Sequence, residues 1–139
     1  MKVKLLTEDA IAPTRGTEYS AGYDFYANEQ CIIEAGDQKL ISTGVSIEIP
    51  TGYYGKIFDR SGFTLNYHTR IAAGVIDSDY RGEVKILIQN LGKNPLNIAK
   101  DSRIAQMIIM PCLCEDIEVV DILGETVRDA GGFGSTGLH

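Results

Sequence analysis

Residues 74–90 read GVIDSDYRGEVKILIQN, a polar turn bounded by glycines and then a run in which Val84, Ile86 and Ile88 fall on every second residue. Period two predicts a strand with one buried face. Working outward, the same alternation recurs at Val3 and Leu5, at Val45, Ile47 and Ile49, and at Ile117 and Val119 with Ile122 beyond them. The breaks carry turn residues, as in Glu34-Ala-Gly-Asp, Pro50-Thr-Gly, Gly92-Lys-Asn-Pro95 and Lys100-Asp-Ser. Short strands at this spacing predict an all-β chain folded as a sandwich or jelly roll. Helix signals are sparse. Only SGFTLNYH, residues 61–68, suits a turn or two, with Ser61 as N-cap.

The chain has 139 residues, the size of one domain, and its 44% hydrophobic and 23% charged residues are ordinary globular composition. No repeat or low-complexity tract marks a second domain. A net charge of −6 argues against a nucleic-acid partner, because such affinity comes largely from neutralised phosphates. No apolar run approaches a membrane span, and MKVKLLTEDA lacks the apolar core of a secretory signal, so an intracellular protein, cytoplasmic or nuclear, is expected. The three cysteines are an odd number. Cys112 and Cys114 read as small apolar residues in a reducing compartment rather than as a metal knuckle.

Five stretches stand apart from ordinary sandwich loops: AGYDFYA (21–27), DRSGFT (59–64), GVIDSDYRG (74–82), RIAQM (103–107) and RDAGGFGSTG (128–137). On residue chemistry each has a plain reading. GVIDSDYRG is a polar turn with two acids, Ser61 a helix cap, AGYDFYA a strand, and RIAQM a buried strand with Arg103 in an ion pair. The last nine residues hold four glycines, and glycine carries the highest ordering cost, so the tail reads as a flexible terminus or an arm that closes on a ligand. With His68 and His139 the only histidines, there is little material for a Ser-His dyad or a histidine-rich metal site.

Taken in order, the five stretches resemble the five motifs of the trimeric dUTP pyrophosphatases, the dUTPase family, from about Ala21 to Gly137. The resemblance implies a distorted jelly-roll homotrimer, with a β domain over residues 1–127 and a C-terminal arm over 128–139. It implies composite active sites: motifs one, two and four from one chain, motif three from a second, the tail from a third. The implied reaction is hydrolysis of dUTP to dUMP and pyrophosphate by Mg2+-assisted attack of water on the α-phosphorus, which lowers dUTP and supplies dUMP for thymidylate synthesis.

The resemblance also assigns residues. Asp77 is implied to orient and deprotonate the water, and Tyr80 to pack beneath the deoxyribose, leaving no room for a 2′-hydroxyl. The hairpin holding Gly74, Val75 and Ile76 is implied to read the uracil edge and to be too tight for a 5-methyl group, while Phe133 stacks on the base. Arg60, Ser61, Gly62, Gln106, Arg128, Gly134, Ser135 and Thr136 are the implied phosphate contacts. Asp24 is implied to hold waters of the magnesium shell, and Arg103 is structural. The chain departs from the family pattern at Asp59, where many relatives have proline, and at Phe63-Thr64, where they have leucine-alanine. A negative charge beside a triphosphate requires Asp59 to be paired or turned away. Two alternatives stand beside this reading. One is a dCTP deaminase of the same fold family, which needs a catalytic glutamate that has no evident place near the pyrimidine. The other is a non-catalytic nucleotide-binding or regulatory protein.

Overall fold

The computed structural model describes residues 1–132. The strands in chain order are β1 (Lys2–Leu5), β2 (Tyr23–Tyr26), β3 (Cys31–Ile33), β4 (Gln38–Ile41), β5 (Val45–Glu48) and β6 (Tyr53–Phe58). The one helix, α1 (Ser61–Tyr67), follows, then β7 (Thr69–Ala72), β8 (Val75–Ile76), β9 (Ile86–Asn90), β10 (Leu96–Ile98) and β11 (Arg103–Pro111). They form a four-stranded sheet in the order β2-β11-β6-β8, a three-stranded sheet β4-β9-β7, and the pairs β1-β5 and β3-β10. Every pairing is antiparallel. This is the jelly-roll architecture, short strands in small sheets around one core.

The alternation that opens the sequence argument is met in β9, where Ile86, Ile88 and Asn90 are buried and Leu87 and Gln89 are half-buried. Val84, just ahead of the strand, is fully buried as well. The core joins these residues to Phe25, Ile41, Val45, Ile104 and Met107. Each fully buried side chain of this size contributes about 1.5–3 kcal/mol. Asn90 is tolerated in this core because all its polar atoms are bonded: its amide donates to the carbonyls of Ile33 and Asn94, both at 2.9 Å, and its oxygen accepts from Gly92 N–H at 3.0 Å.

Three expectations are corrected. Ser61 is the first helical residue and not the cap; Arg60 holds the cap position with extended backbone, φ −94 and ψ 127, and no side chain caps the helix. The reason is that β6 runs to Phe58, so the chain turns into the helix one residue earlier than a Ser61 cap requires. The alternation at Ile117, Val119 and Ile122 forms no strand among the described residues. Ile117 is 92% and Val119 94% exposed, because the chain leaves the β11 edge at Pro111 and finds no strand of its own to pair with. Cys112 and Cys114, read as small apolar residues, lie just past the strand end as well. Past the strand end their sulfurs face each other at 3.8 Å, and both are exposed. The Cys112 thiol is pushed up, first by its contact with Cys114, then by desolvation and the charges of Cys114 and Asp77. Cys31 is buried as expected, and burial pushes its thiol up.

Candidate active site

Two clefts collect most of the described residues singled out in the sequence. In the first, about 240 Å³, β2 contributes Asp24, the β6–α1 turn contributes Arg60, Ser61 and Gly62, and β11 contributes Arg103 and Gln106. Antiparallel pairing sets this up, since Gln106 on β11 stands opposite both Asp24 and Phe58. Asp24 is only 8% exposed, and two arginines bind it: Arg60 Nε donates to Oδ1 at 2.9 Å and Arg103 Nη1 to Oδ2 at 3.2 Å. Arg60 also donates to the Arg103 carbonyl at 3.0 Å. The cleft therefore carries two guanidinium groups on one carboxylate, a surplus of one positive charge in a walled space. Gln106 Nε2 donates to the Asp59 carbonyl at 2.8 Å. A Cβ on Gly22 would lie 2.4 Å from Gln106 Oε1, so glycine there leaves the amide its place. Gly62 meets nothing within 4 Å, and its side of the cleft is open.

The second cleft, about 380 Å³, is lined by Val75, Ile76, Asp77 and Tyr80 together with Leu40, Glu83 and Lys85. The two clefts have no lining residue in common. Gly74 is needed at the hairpin, since a Cβ there would stand 2.8 Å from the Ile57 carbonyl. Its own carbonyl accepts from Ile57 N–H at 2.7 Å. Asp77 is exposed and enters no ion pair among the described residues. Tyr80 N–H closes the turn onto the Asp77 carbonyl at 3.2 Å. Arg81 braces the same turn through its guanidinium, donating to the carbonyls of Ser78 at 2.7 Å and Tyr80 at 3.0 Å. The Tyr80 ring is held at its hydroxyl end: the hydroxyl donates to the Glu83 carbonyl at 2.9 Å, and a Cβ on Gly82 would stand 2.4 Å from that hydroxyl oxygen.

Of the remaining site residues, Arg128 lies in neither cleft. It folds back within its own turn, Nε donating to the Gly131 carbonyl at 2.7 Å. Phe133, Gly134, Ser135 and Thr136 lie outside the described residues.

Sequence reasoning missed Glu83. One of its oxygens accepts from the Ser42 hydroxyl, from Thr43 N–H at 3.1 Å and from Gly44 N–H at 2.8 Å, and Lys85 stands 3.6 Å from the other. These contacts pin the second cleft to a loop 39 to 41 residues earlier, and nothing in the local pattern announces them. Burial pushes the Glu83 carboxyl up, but the donors and Lys85 together hold it below the ordinary value. A carboxyl lowered on folding stabilises the fold above its unfolded value, about 4.3, and that contribution is lost as the pH falls through the lower folded value. Glu83→Gln keeps an accepting oxygen without the titration, so its acid unfolding profile below about pH 4.3 should be shallower than that of the parent chain. Glu83→Ala leaves two amides unpaired and should cost about 2 kcal/mol in a denaturant titration.

Comparison with known proteins extends the geometry to a family. The dUTPase family model matches residues 8–137. The chain belongs to the dUTPase family. It is 46% identical over 136 residues to the deoxyuridine 5′-triphosphate nucleotidohydrolase of Paramecium bursaria Chlorella virus 1, covering 98% of this chain and 96% of the viral one. Against the Saccharomyces cerevisiae enzyme of the same name the identity is 42%, over 99% and 94% of the two chains. Among solved structures, the Staphylococcus bacteriophage 80alpha dUTPase with dUPNHPP superposes with a TM-score of 0.92 at 30% identity, covering 99% of this chain and 98% of that one. A dUTPase of phage phi11 of S. aureus, whose structure concerns the coordination of a structural Mg(II) ion, has a TM-score of 0.83 at 27% identity over 89% and 98% of the chains. No helix among the described residues is long and apolar enough to cross a membrane.

Proposed function

We propose that this dUTPase-family chain hydrolyses dUTP to dUMP and pyrophosphate in a homotrimer with composite active sites. The observation that carries the reading is the division of the chain into two clefts, a cationic one for phosphates and a base-sized one with a free carboxylate. Within one chain the two clefts share no lining residue. Subunit contacts would bring the first cleft of one chain to Asp77 and Tyr80 of another, and Arg128 with the glycine-rich tail would supply the remaining phosphate contacts.

In this reading Arg60, Ser61, Gly62 and Gln106 grip the triphosphate, the guanidinium held in place by Asp24. Asp77 accepts the proton of the attacking water as it forms a bond to the α-phosphorus, and pyrophosphate leaves in line. The hairpin at Gly74, Val75 and Ile76 offers its backbone to the uracil edge. The Tyr80 ring occupies the space a 2′-hydroxyl would need, and it cannot retreat onto Gly82 because it already touches that residue.

The residues fit a magnesium ion that arrives with the triphosphate and keeps its waters. Among the described residues no three His, Cys, Asp or Glu side chains form a cage, and Asp24, with both oxygens committed to arginine, has only lone pairs left to accept from metal-bound water. When bound, the ion would neutralise charge on the phosphates.

Pyrophosphate release measured across dUTP, UTP, dTTP and dCTP, with ammonia release from dCTP alongside, tests the reading. Strong preference for dUTP without ammonia is expected, and comparable rates on all four would refute it. Tyr80→Ala should narrow the preference for dUTP over UTP by about tenfold, the effect of one steric contact worth about 1.4 kcal/mol.

A further inference from the structure

The two clefts share no lining residue, yet one side chain joins the segments behind them. Asp59 sits between β6 and α1, directly ahead of Arg60. Its Oδ1 accepts from Ile71 N–H at 2.8 Å, and its carbonyl accepts from Gln106 Nε2 at 2.8 Å. Ile71 belongs to β7, the strand that leads through Gly74 and β8 to Asp77. Nearer the hairpin tip, β6 holds this segment by ordinary ladder contacts, Gly55 opposite Ile76 and Lys56 opposite Val75, and by the bond from Ile57 N–H to the Gly74 carbonyl. Beyond Ile57 the β6–β8 ladder opens, and the Asp59 carboxylate takes the amide of half-buried Ile71. The charge that looked misplaced beside a triphosphate is thus turned into the backbone of the hairpin. A proline at this position would have no side-chain acceptor to offer it.

We infer that Asp59 is a positioning residue that couples the phosphate-gripping turn Arg60–Gly62 to the hairpin carrying Asp77. This rests on the functional reading above. Because that reading gives a chain's first cleft and its Asp77 to different composite sites, one hydrogen bond would help set the geometry of two neighbouring sites.

The test compares the full-length parent with Asp59→Ala and Asp59→Asn by amide hydrogen exchange and by steady-state hydrolysis of dUTP. Asp59→Ala should speed exchange at Ile71 and along Gly74–Ile76, and lower kcat about fivefold to tenfold with KM within about twofold, the scale of one hydrogen bond. Asp59→Asn, whose amide oxygen still accepts, should restore both to near the parent values. Unchanged exchange at Ile71 in Asp59→Ala overturns the coupling, and so does an asparagine variant as impaired as the alanine one, since charge rather than hydrogen bonding would then be at work. A parent chain that does not hydrolyse dUTP would sink the functional reading instead, and the exchange comparison would still decide whether Asp59 holds the hairpin.

Discussion

Asp77→Asn is expected to leave a folded protein that binds nucleotide and turns it over about a thousandfold more slowly, the middle of the range for removing a positioned general base. The substitution is nearly isosteric, and the parent carboxylate is exposed with no ion pair among the described residues. Stability should therefore change by less than about 0.5 kcal/mol. A thermal melt, a binding titration with a non-hydrolysable dUTP analogue and a pyrophosphate-release assay separate the three properties. An asparagine variant with rates within tenfold of the parent would take the base role away from Asp77.

The second large effect is expected at Asp24. Asp24→Ala removes the carboxylate that both Arg60 and Arg103 bind and leaves two like charges facing one another across a small cleft. Breaking a buried pair from one side costs about 3–5 kcal/mol. The Arg103 side chain is 50% exposed and can turn to water, which lowers the figure here to about 2–3 kcal/mol. The denaturant midpoint should fall accordingly. Because Arg60 loses its anchor, KM for dUTP should rise by about tenfold or more, the loss of one charge-assisted contact. Asp24→Asn retains a single accepting oxygen and should fall between the two. An alanine variant with unchanged midpoint and KM would show that the two arginines hold their places without Asp24.

The strands were legible wherever burial repeats every second residue. Val45, Ile47 and Ile49 and Val84, Ile86 and Ile88 lie in the core as their alternation predicts. The same rule failed at Ile117 and Val119, since period two says that a segment can line a face and not that a face is there to be lined. Cys112 and Cys114, read as small apolar residues, are exposed because the strand ends at Pro111. Ser61 was placed one position out because its cap reading rests on side-chain chemistry, whereas the length of β6 sets where the helix starts. Glycines were legible as turn formers, but their sharper roles were not. Gly74 makes room for the Ile57 carbonyl and Gly82 for the Tyr80 ring, and both neighbours become visible only once the chain has turned back.

Local periodicity and turn chemistry established an all-β chain with one short helix, and the order of five short segments pointed to the family, because these properties reside in residues close together along the chain. The tertiary structure decided which charges meet. Asp24 finds Arg60 and Arg103, 36 and 79 residues away, Glu83 finds Ser42 to Gly44, and Asp59 turns from the cleft to the Ile71 amide. Those partnerships follow from strand register and from where each ladder opens. Register is set by packing of the whole core, which no single segment of the sequence contains.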